Sequence, residues 1–398
     1  MICKTNRLVI DPSQPIKRMP PRPPSDRQFG YLEDFDFTTV FSDIFVRDGR
    51  VWLVGPPFLN LESELHAAKF IWNWKDITSE VHFETFNRMS RTSFPTSVDF
   101  GELQIQSTIG NWIAQVSPFD HKDFVGSRLM VTQQKNNRLE WIAYWVLFNV
   151  KVNAIDSIVI YDNNSTEYPI ERIEQLLSLI PGLKRWIVVD WDTPHGVTGG
   201  PNSVWDSDYG QLVAWEHSRH MFAPLASSVL MIDIDELPVT RNPIGILEQL
   251  EGSEEKALLF KRMSIKPFAN RNKIRDGIRV HSDFSLGDSA GVQLSCKYAY
   301  VPARLESSDQ LLVHQIHGES TKPQDISETF AGHFDAIRIE WREREKEPVR
   351  LAQQLEDIVG GFEEVSLLND NYSKIEQEWS ELLTRLELLI DSQTERQK

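Results

Sequence analysis

The sequence predicts an α/β fold: a mostly parallel sheet with flanking helices, preceded by a small β-rich unit and followed by helices. Three observations carry this. Between Gly126 and Ile232, short apolar runs rich in β-branched residues alternate with segments of helical periodicity. The links between them are short, which calls for right-handed crossovers and parallel strands. Polar residues cluster where the apolar runs end, as in open α/β sheets that hold a ligand at the carboxyl ends of their strands.

The chain has 398 residues, enough for two or three domains. Its net charge is −16 and it has no basic block. That argues against nucleic acid or an anionic membrane as the main partner. The two cysteines, Cys3 and Cys296, cannot build a disulfide framework, and no Cys/His spacing suggests zinc. A reducing, cytoplasmic setting is expected. The first residues lack the apolar segment of a signal peptide. No apolar run approaches the ~20 residues that span a bilayer, so any membrane contact is peripheral.

In chain order, residues 1–30 read as a Pro-rich leader. Pro12, Pro15, Pro20, Pro21, Pro23 and Pro24 suggest a loop or extended stretch, not a packed element. Residues 31–122 read as a β-rich unit. Ile44 to Val54 is a hairpin turning at Asp48-Gly49, and apolar runs follow at Phe70–Trp74, Val81–Phe83 and Leu103–Ile105. Trp52, Trp72 and Trp74 are core residues or, less in keeping with their type, a sugar platform.

Residues 123–345 hold the alternating pattern. Strands are predicted at Arg128–Thr132, Ala154–Tyr161, Trp186–Asp190 and Val229–Ile232. Helices are predicted at Leu139–Val150, Ile170–Leu179 and Gln211–Phe222. Beyond Pro238 come a short helix at Ile244–Leu250 and a strand at Ala257–Phe260. A basic loop follows from Lys261 to Arg279, including Arg271, Lys273 and Arg275. Further strands are expected at Lys297–Val301 and Leu311–His317. The last unit, 346–398, is helical, with helices over Glu340–Ile358 and Ile375–Ile390. In the latter, Ile375, Trp379, Leu382, Leu383, Leu386 and Ile390 share one face, which packs on the body of the protein or forms a homodimer contact.

The chemistry centres on Asp233-Ile-Asp235. An apolar run, Val229 to Ile232, ends there in Asp233, Asp235 and Glu236. Three carboxylates at a buried strand end are costly unless a cation or a tight hydrogen-bond set neutralises them. On a strand, Asp233 and Asp235 point together while Ile234 turns away. Hard oxygen ligands suit Mg²⁺ or Mn²⁺. The plainer reading is a strand end running into a solvated acidic turn. Two more polar clusters, Thr132-Gln133 and Asp162-Asn163-Asn164-Ser165, fall at neighbouring strand ends and complete one crevice. Their amides, hydroxyls and carboxylate suit a base and ribose; the Asp-x-Asp cation suits a pyrophosphate. There is no Gly-x-Gly-x-x-Gly after the first strand and no P-loop. A metal on a diphosphate leaving group is Lewis-acid catalysis of group transfer, which points to a nucleotide-sugar donor.

The order of Gln134-Lys-Asn-Asn-Arg-Leu-Glu-Trp-Ile-Ala-Tyr144, Ile158-Val-Ile-Tyr-Asp-Asn-Asn-Ser-Thr166 and Asp233-Ile-Asp-Glu236 resembles glycosyltransferases of the Rossmann-like GT-A fold. Among them it is similar to glycosyltransferase family 92 and family-2-like enzymes of bacterial type. Trp205 to Gln211 with Glu216-His217-Ser-Arg219 resembles the segment before their Asp-x-Asp strand. Val313-His314 and Gly332-His333-Phe334 resemble the histidine-bearing strands after it. The resemblance spans residues 126–345 and departs at Asn136-Asn137, where those families carry Asn-Glu.

It implies a metal-dependent transfer of a hexosyl group from a nucleotide sugar, a UDP-sugar being expected, to a hydroxyl acceptor in glycan or polysaccharide synthesis. Thr132, Gln133, Asp162, Asn163, Ser165, Gln211 and Asp233 would hold the donor, with Asp162 at the nucleoside. Asp233, Asp235 and His333 would hold Mn²⁺ or Mg²⁺, with His314 the alternative histidine. Asp206, Asp208 and Gln211 would lie on a loop closing over the donor, freed by Gly196, Gly199 and Gly200. An inverting reaction needs a general base on the acceptor, for which Asp276, Glu306 and Asp309 are the candidates beside Asp235. The alternatives are a sugar nucleotidyltransferase and a non-catalytic carbohydrate-binding protein. A glycosidase is disfavoured because Asp233 and Asp235 lie too close together.

Overall fold

A computed structural model describes residues 1–119, 124–269, 278–288, 294–319, 321–338, 350–351 and 362–394. The fold is mixed α/β around a large central sheet. Its body is parallel, in the order Ile2–Lys4, Arg185–Asp190, Ser157–Asp162, Arg128–Gln134 and Ser228–Met231. Leu294–Tyr300 then adds antiparallel to Ser228–Met231, and Ala257–Ile265 adds antiparallel to that. Thr329–Phe334 runs parallel to Ala257–Ile265 and pairs antiparallel with Glu236–Thr240.

Strand alternation explains why the apolar runs are continuous rather than every second residue. Ile158 and Ile160 enter one core with the helices Leu139–Val152, Glu171–Leu179 and Glu376–Thr394. Val159 and Tyr161 enter another with the helix Tyr209–Met221. A sheet covered on both faces needs apolar residues on both. The Leu139–Val152 helix is buried nearly all round, because the last helix covers the side turned from the sheet. Ile375, Trp379, Leu382 and Leu386 are all buried, so that apolar face packs on the body.

The β-rich unit forms two four-stranded antiparallel sheets over one core that includes Val51, Leu53, Phe94, Phe70, Leu103 and Ile105. The expected hairpin is Asp43–Arg47 with Arg50–Gly55. Both turn residues, Asp48 and Gly49, have positive φ (51° and 70°), the I′ geometry that Asp-Gly favours. Trp72 is core, whereas Trp74 is 82% exposed.

Four expectations need correction. The leader is not loose: Ile2–Lys4 takes the open edge of the central sheet, and Arg18 and Arg22 are buried. Arg18 donates to the carbonyls of Pro57 and Asp36, both at 2.9 Å, and Arg22 pairs with Asp206 at 2.8 Å. Proline content hides such anchoring, because two arginines and one strand edge hold the segment. Leu311–His317 is not one strand but a tight hairpin, Gln310–Leu311 against Ile316–His317. The strand from Ala257 runs on to Ile265, so the basic stretch starts on the sheet. Within the expected helix 340–358, Arg350–Leu351 is instead a short strand beside Phe268–Ala269. The remaining residues of that expected helix from 340 on, and Arg271, Lys273 and Arg275, lie outside the described residues. A helix at Ser366–Ser373 was not expected. No helix among the described residues is long and apolar enough to cross a membrane.

Candidate functional site

The Asp-x-Asp strand ends at Met231, so Asp233-Ile-Asp235 forms a turn into Glu236–Thr240 rather than the strand's last residues. Ile234 is buried and both aspartates are partly exposed, as alternation anticipates, but the turn produces the arrangement. The turn is tied on every side. The Asp233 N–H donates to Glu236 Oε2 (3.0 Å), and the Phe334 N–H donates to the Asp235 carbonyl (2.8 Å). His281 Nε2 lies 2.7 Å from the Ile234 carbonyl. That carbonyl only accepts, so Nε2 carries the hydrogen. The ring is held between stacked Tyr144 and the edge of Phe334, and burial pushes its pKa down to about 4. His281 is thus a neutral strut under the acidic turn.

The charges do not cancel. Lys297 Nζ, on a side chain 2% exposed, sits 2.6 Å from Asp233 and 3.5 Å from Glu236. Arg262 Nη1 is 3.0 Å from the other Glu236 oxygen. Among the described residues, three carboxylates therefore face two permanent cations, and Asp235 is left with His333 at 3.4 Å. Burial, with Glu236 and Asp233 adding to it against His333, raises the Asp235 pKa to about 6. Asp233 is lowered instead: burial works against it, but Lys297 prevails. His333 is raised, because Asp235 and Asp335 outweigh burial.

Asp235, Glu236 and His333 each offer a ligand atom within 4.8 Å of the others. The sequence set named Asp233 in place of Glu236. Each has a prior commitment: Asp233 Oδ2 to Lys297, and Glu236 to Arg262, Lys297 and a backbone N–H. Asp235 and His333 have the least, and a carboxylate with an imidazole suits Mn²⁺ or a similar divalent ion. The donor set fits such an ion without identifying it.

Asp233 and Asp235 open into a cleft of about 980 Å³, lined also by Gln133, Asn137, Gln211 and His314. The first and third predicted clusters meet there. The second does not: Asp162 accepts from Ser165 Oγ (2.6 Å) and from Gln134, and Asn163 donates to the carbonyls of Trp191 (2.9 Å) and Thr193 (2.7 Å). Thr132 is fully buried. Asp162, Asn163 and Ser165 hold neighbouring loops together, because short strand–helix links leave backbone groups that side chains must satisfy. The Gly-rich loop is braced as well. Val197 bridges Ser207, and a Cβ on Gly196 would collide with the Ser207 carbonyl.

The expected bases Glu306 and Asp309 are not in the cleft. Both bind Lys256, at 3.0 and 3.2 Å, and Arg219 caps their carbonyls. Lys256 precedes Ala257, which lies opposite Tyr300 and so near Val229, at the start of the Asp-x-Asp strand. That is the far end from the turn. Asp276 lies outside the described residues. Besides Asp233 and Asp235, the titratable proton acceptors among the described residues that line the cleft are His195, His314 and Asp208. Burial first, then Lys297 and Arg262, push His314 down to about 4. Arg88, from the β-rich unit, also lines the cleft, and no local sequence signal marks it.

No protein-family model matches the sequence, and no curated protein matches it.

Proposed function

We propose that the chain is a metal-dependent glycosyltransferase of the GT-A type. It transfers a hexosyl group from a nucleoside diphosphate sugar, a UDP-sugar first, to a hydroxyl acceptor of a growing glycan. The observation that carries this is the Asp235 carboxylate, whose ion-pair partner among the described residues is a histidine and not a permanent cation, opening with Gln133 and Gln211 into a cleft beyond the carboxyl ends of parallel strands. The strand order, parallel up to the Asp-x-Asp strand and antiparallel immediately after it, supports the same reading.

Asp235 and His333 would hold the divalent ion, whose positive charge would stabilise a diphosphate leaving group. Lys297 keeps Asp233 ionised, and His281 fixes the turn between the two aspartates. Gln133 and Asn137 offer amides to a base and ribose. The proton of the acceptor hydroxyl goes to a cleft group, His195, His314 or Asp208, rather than to Glu306 or Asp309.

Titration calorimetry of UDP with and without Mn²⁺ tests the reading. The expected result is binding that tightens by about tenfold or more when Mn²⁺ is present, a difference of about 1.4 kcal/mol. Equal heats with and without the ion, or no binding of UDP, GDP or CMP at all, would sink it. A second expectation separates the bases: Glu306→Gln leaves nucleotide affinity and turnover unchanged, because its carboxylate pairs with Lys256 outside the cleft. A large fall in turnover with that variant would return Glu306 to the site.

A further inference from the structure

The hairpin His82–Phe86 with Met89–Pro95 turns through Asn87-Arg88. Arg88 has φ +62°, a conformation that turns reserve for Gly or Asn at this position. A bulky residue held there is strained, and such strain collects at functional sites. The strain is imposed by a clamp. The Asn87 N–H donates to Gln310 Oε1 (3.0 Å), and Gln310 Nε2 donates back to the Asn87 carbonyl (2.8 Å). Gln310 is buried and leads directly into Leu312–Gln315, which line the cleft. The clamp therefore ties the hairpin tip to the cleft wall.

The guanidinium is half committed. Nη1 contacts both oxygens of Asp208, each at 2.6 Å. Nε is buried and has no hydrogen-bond partner among the described residues. A guanidinium that needed only a structural partner would meet a carboxylate with two nitrogens, the fork geometry that arginine favours. This one spends a single nitrogen on Asp208, on a side chain that itself lines the cleft. Arg338 lines the same cleft, so the acidic turn is not its only charged feature.

We propose that Arg88 binds an anionic group of the substrate, either the carboxylate of an acidic sugar or a phosphate. The β-rich unit then completes the site by delivering this side chain. The proposal deepens the nucleotide-sugar reading and rests on it for the substrate class.

Arg88→Lys is the informative variant, because lysine retains the ion pair with Asp208 but lacks the planar edge. Arg88→Gln is the stronger disruption, and thermal melting reports whether it folds. Each is titrated by calorimetry, with Mn²⁺ present, against UDP, UDP-glucose and UDP-glucuronate. A loss of ~10–100-fold with UDP-glucuronate alone, abolishing a wild-type preference for it, assigns a sugar carboxylate. A similar loss with all three ligands assigns a phosphate. Wild-type affinity for all three in both folded variants overturns the proposal and leaves Arg88 a structural tie. If the wild type binds no nucleotide, the broader reading has failed. Free glucuronate and inorganic pyrophosphate then decide for Arg88: binding lost in Arg88→Lys upholds its anion role, and no binding to the wild type ends it.

Discussion

Asp235→Asn is expected to weaken metal-dependent nucleotide binding strongly and at the same time to make the protein more stable at neutral pH. The first effect follows from charge. Among the described residues, Asp235 is the one carboxylate of the turn without a lysine or arginine partner, so a neutral amide removes the reason for a divalent ion to bind there. A loss of at least about 100-fold in Mn²⁺-dependent UDP affinity is expected, since outer-shell partners of a metal ligand alone are worth about 10–100-fold. The second effect follows from linkage. Asp235 titrates at about 6 in the fold against a carboxylate reference of 3.8. The fold therefore binds more protons than the unfolded chain between those values, and stability falls as pH rises through them. Above about pH 6 the full penalty is present, and asparagine removes it. The gain should be on the order of 1–3 kcal/mol at neutral pH and should vanish below the unfolded value. The side chain is 22% exposed, so solvent trims the gain toward the lower figure. Urea unfolding of both proteins at about pH 4 and about pH 7.5, with calorimetry at the higher value, measures both effects. Unchanged nucleotide binding would remove Asp235 from the site. Unchanged stability would mean that the turn already neutralises it.

A gain in stability with a loss of binding is the usual signature of a site held in an unfavourable electrostatic state for function. It also explains what the sequence could disclose. An apolar strand that runs into Asp-Ile-Asp-Glu is visible locally, since the pattern and the cost of burying carboxylates are both carried by neighbouring residues. The parallel body was legible for the same reason: strand, link and helix follow one another in the chain. What compensates the turn was not legible. Lys297 lies 64 residues from Asp233 and Arg262 lies 26 from Glu236. Nothing near either cation marks it as an internal counter-charge, and Lys297 reads as the start of another strand. Asp162, Asn163 and Ser165 erred in the opposite direction. Their composition suits a ligand, but their hydrogen bonds are consumed by the loops around them. Composition cannot tell a polar group that faces a cleft from one that satisfies a backbone. Glu306 and Asp309 misled for a related reason, because position along the chain does not show at which end of the sheet a carboxylate lies. Arg88 shows the limit most plainly. It sits in a different unit of the chain, and only the fold brings it to Asp208.

Lys297→Met tests that hidden compensation. The substitution keeps the length and the apolar stem of the side chain, so packing changes little. It removes the cation that lies between Asp233 and Glu236. Glu236 keeps Arg262 and the Asp233 N–H, but Asp233 loses its only ion pair among the described residues. Breaking one partner of a buried pair costs about 3–5 kcal/mol, and Asp233, 30% exposed, recovers part of this from water. A loss of about 3 kcal/mol at neutral pH is expected. The pH dependence should run opposite to that of Asp235→Asn. In the wild type Asp233 titrates below its ordinary value, so Lys297 contributes stability at neutral pH that is lost as pH falls through the carboxylate range. The deficit of the variant should therefore shrink in acid. With one permanent cation facing three carboxylates, the turn should also take up a divalent ion more readily. Mn²⁺ should then raise the melting temperature of Lys297→Met by more than that of the wild type. If the variant melts like the wild type and ignores the ion, the three carboxylates are being neutralised by something other than Lys297. The excess charge assigned to Asp235 would then have no basis. If it is destabilised and Mn²⁺ restores it, the lysine and the ion serve one acidic turn, and its net charge determines how strongly the ion is held.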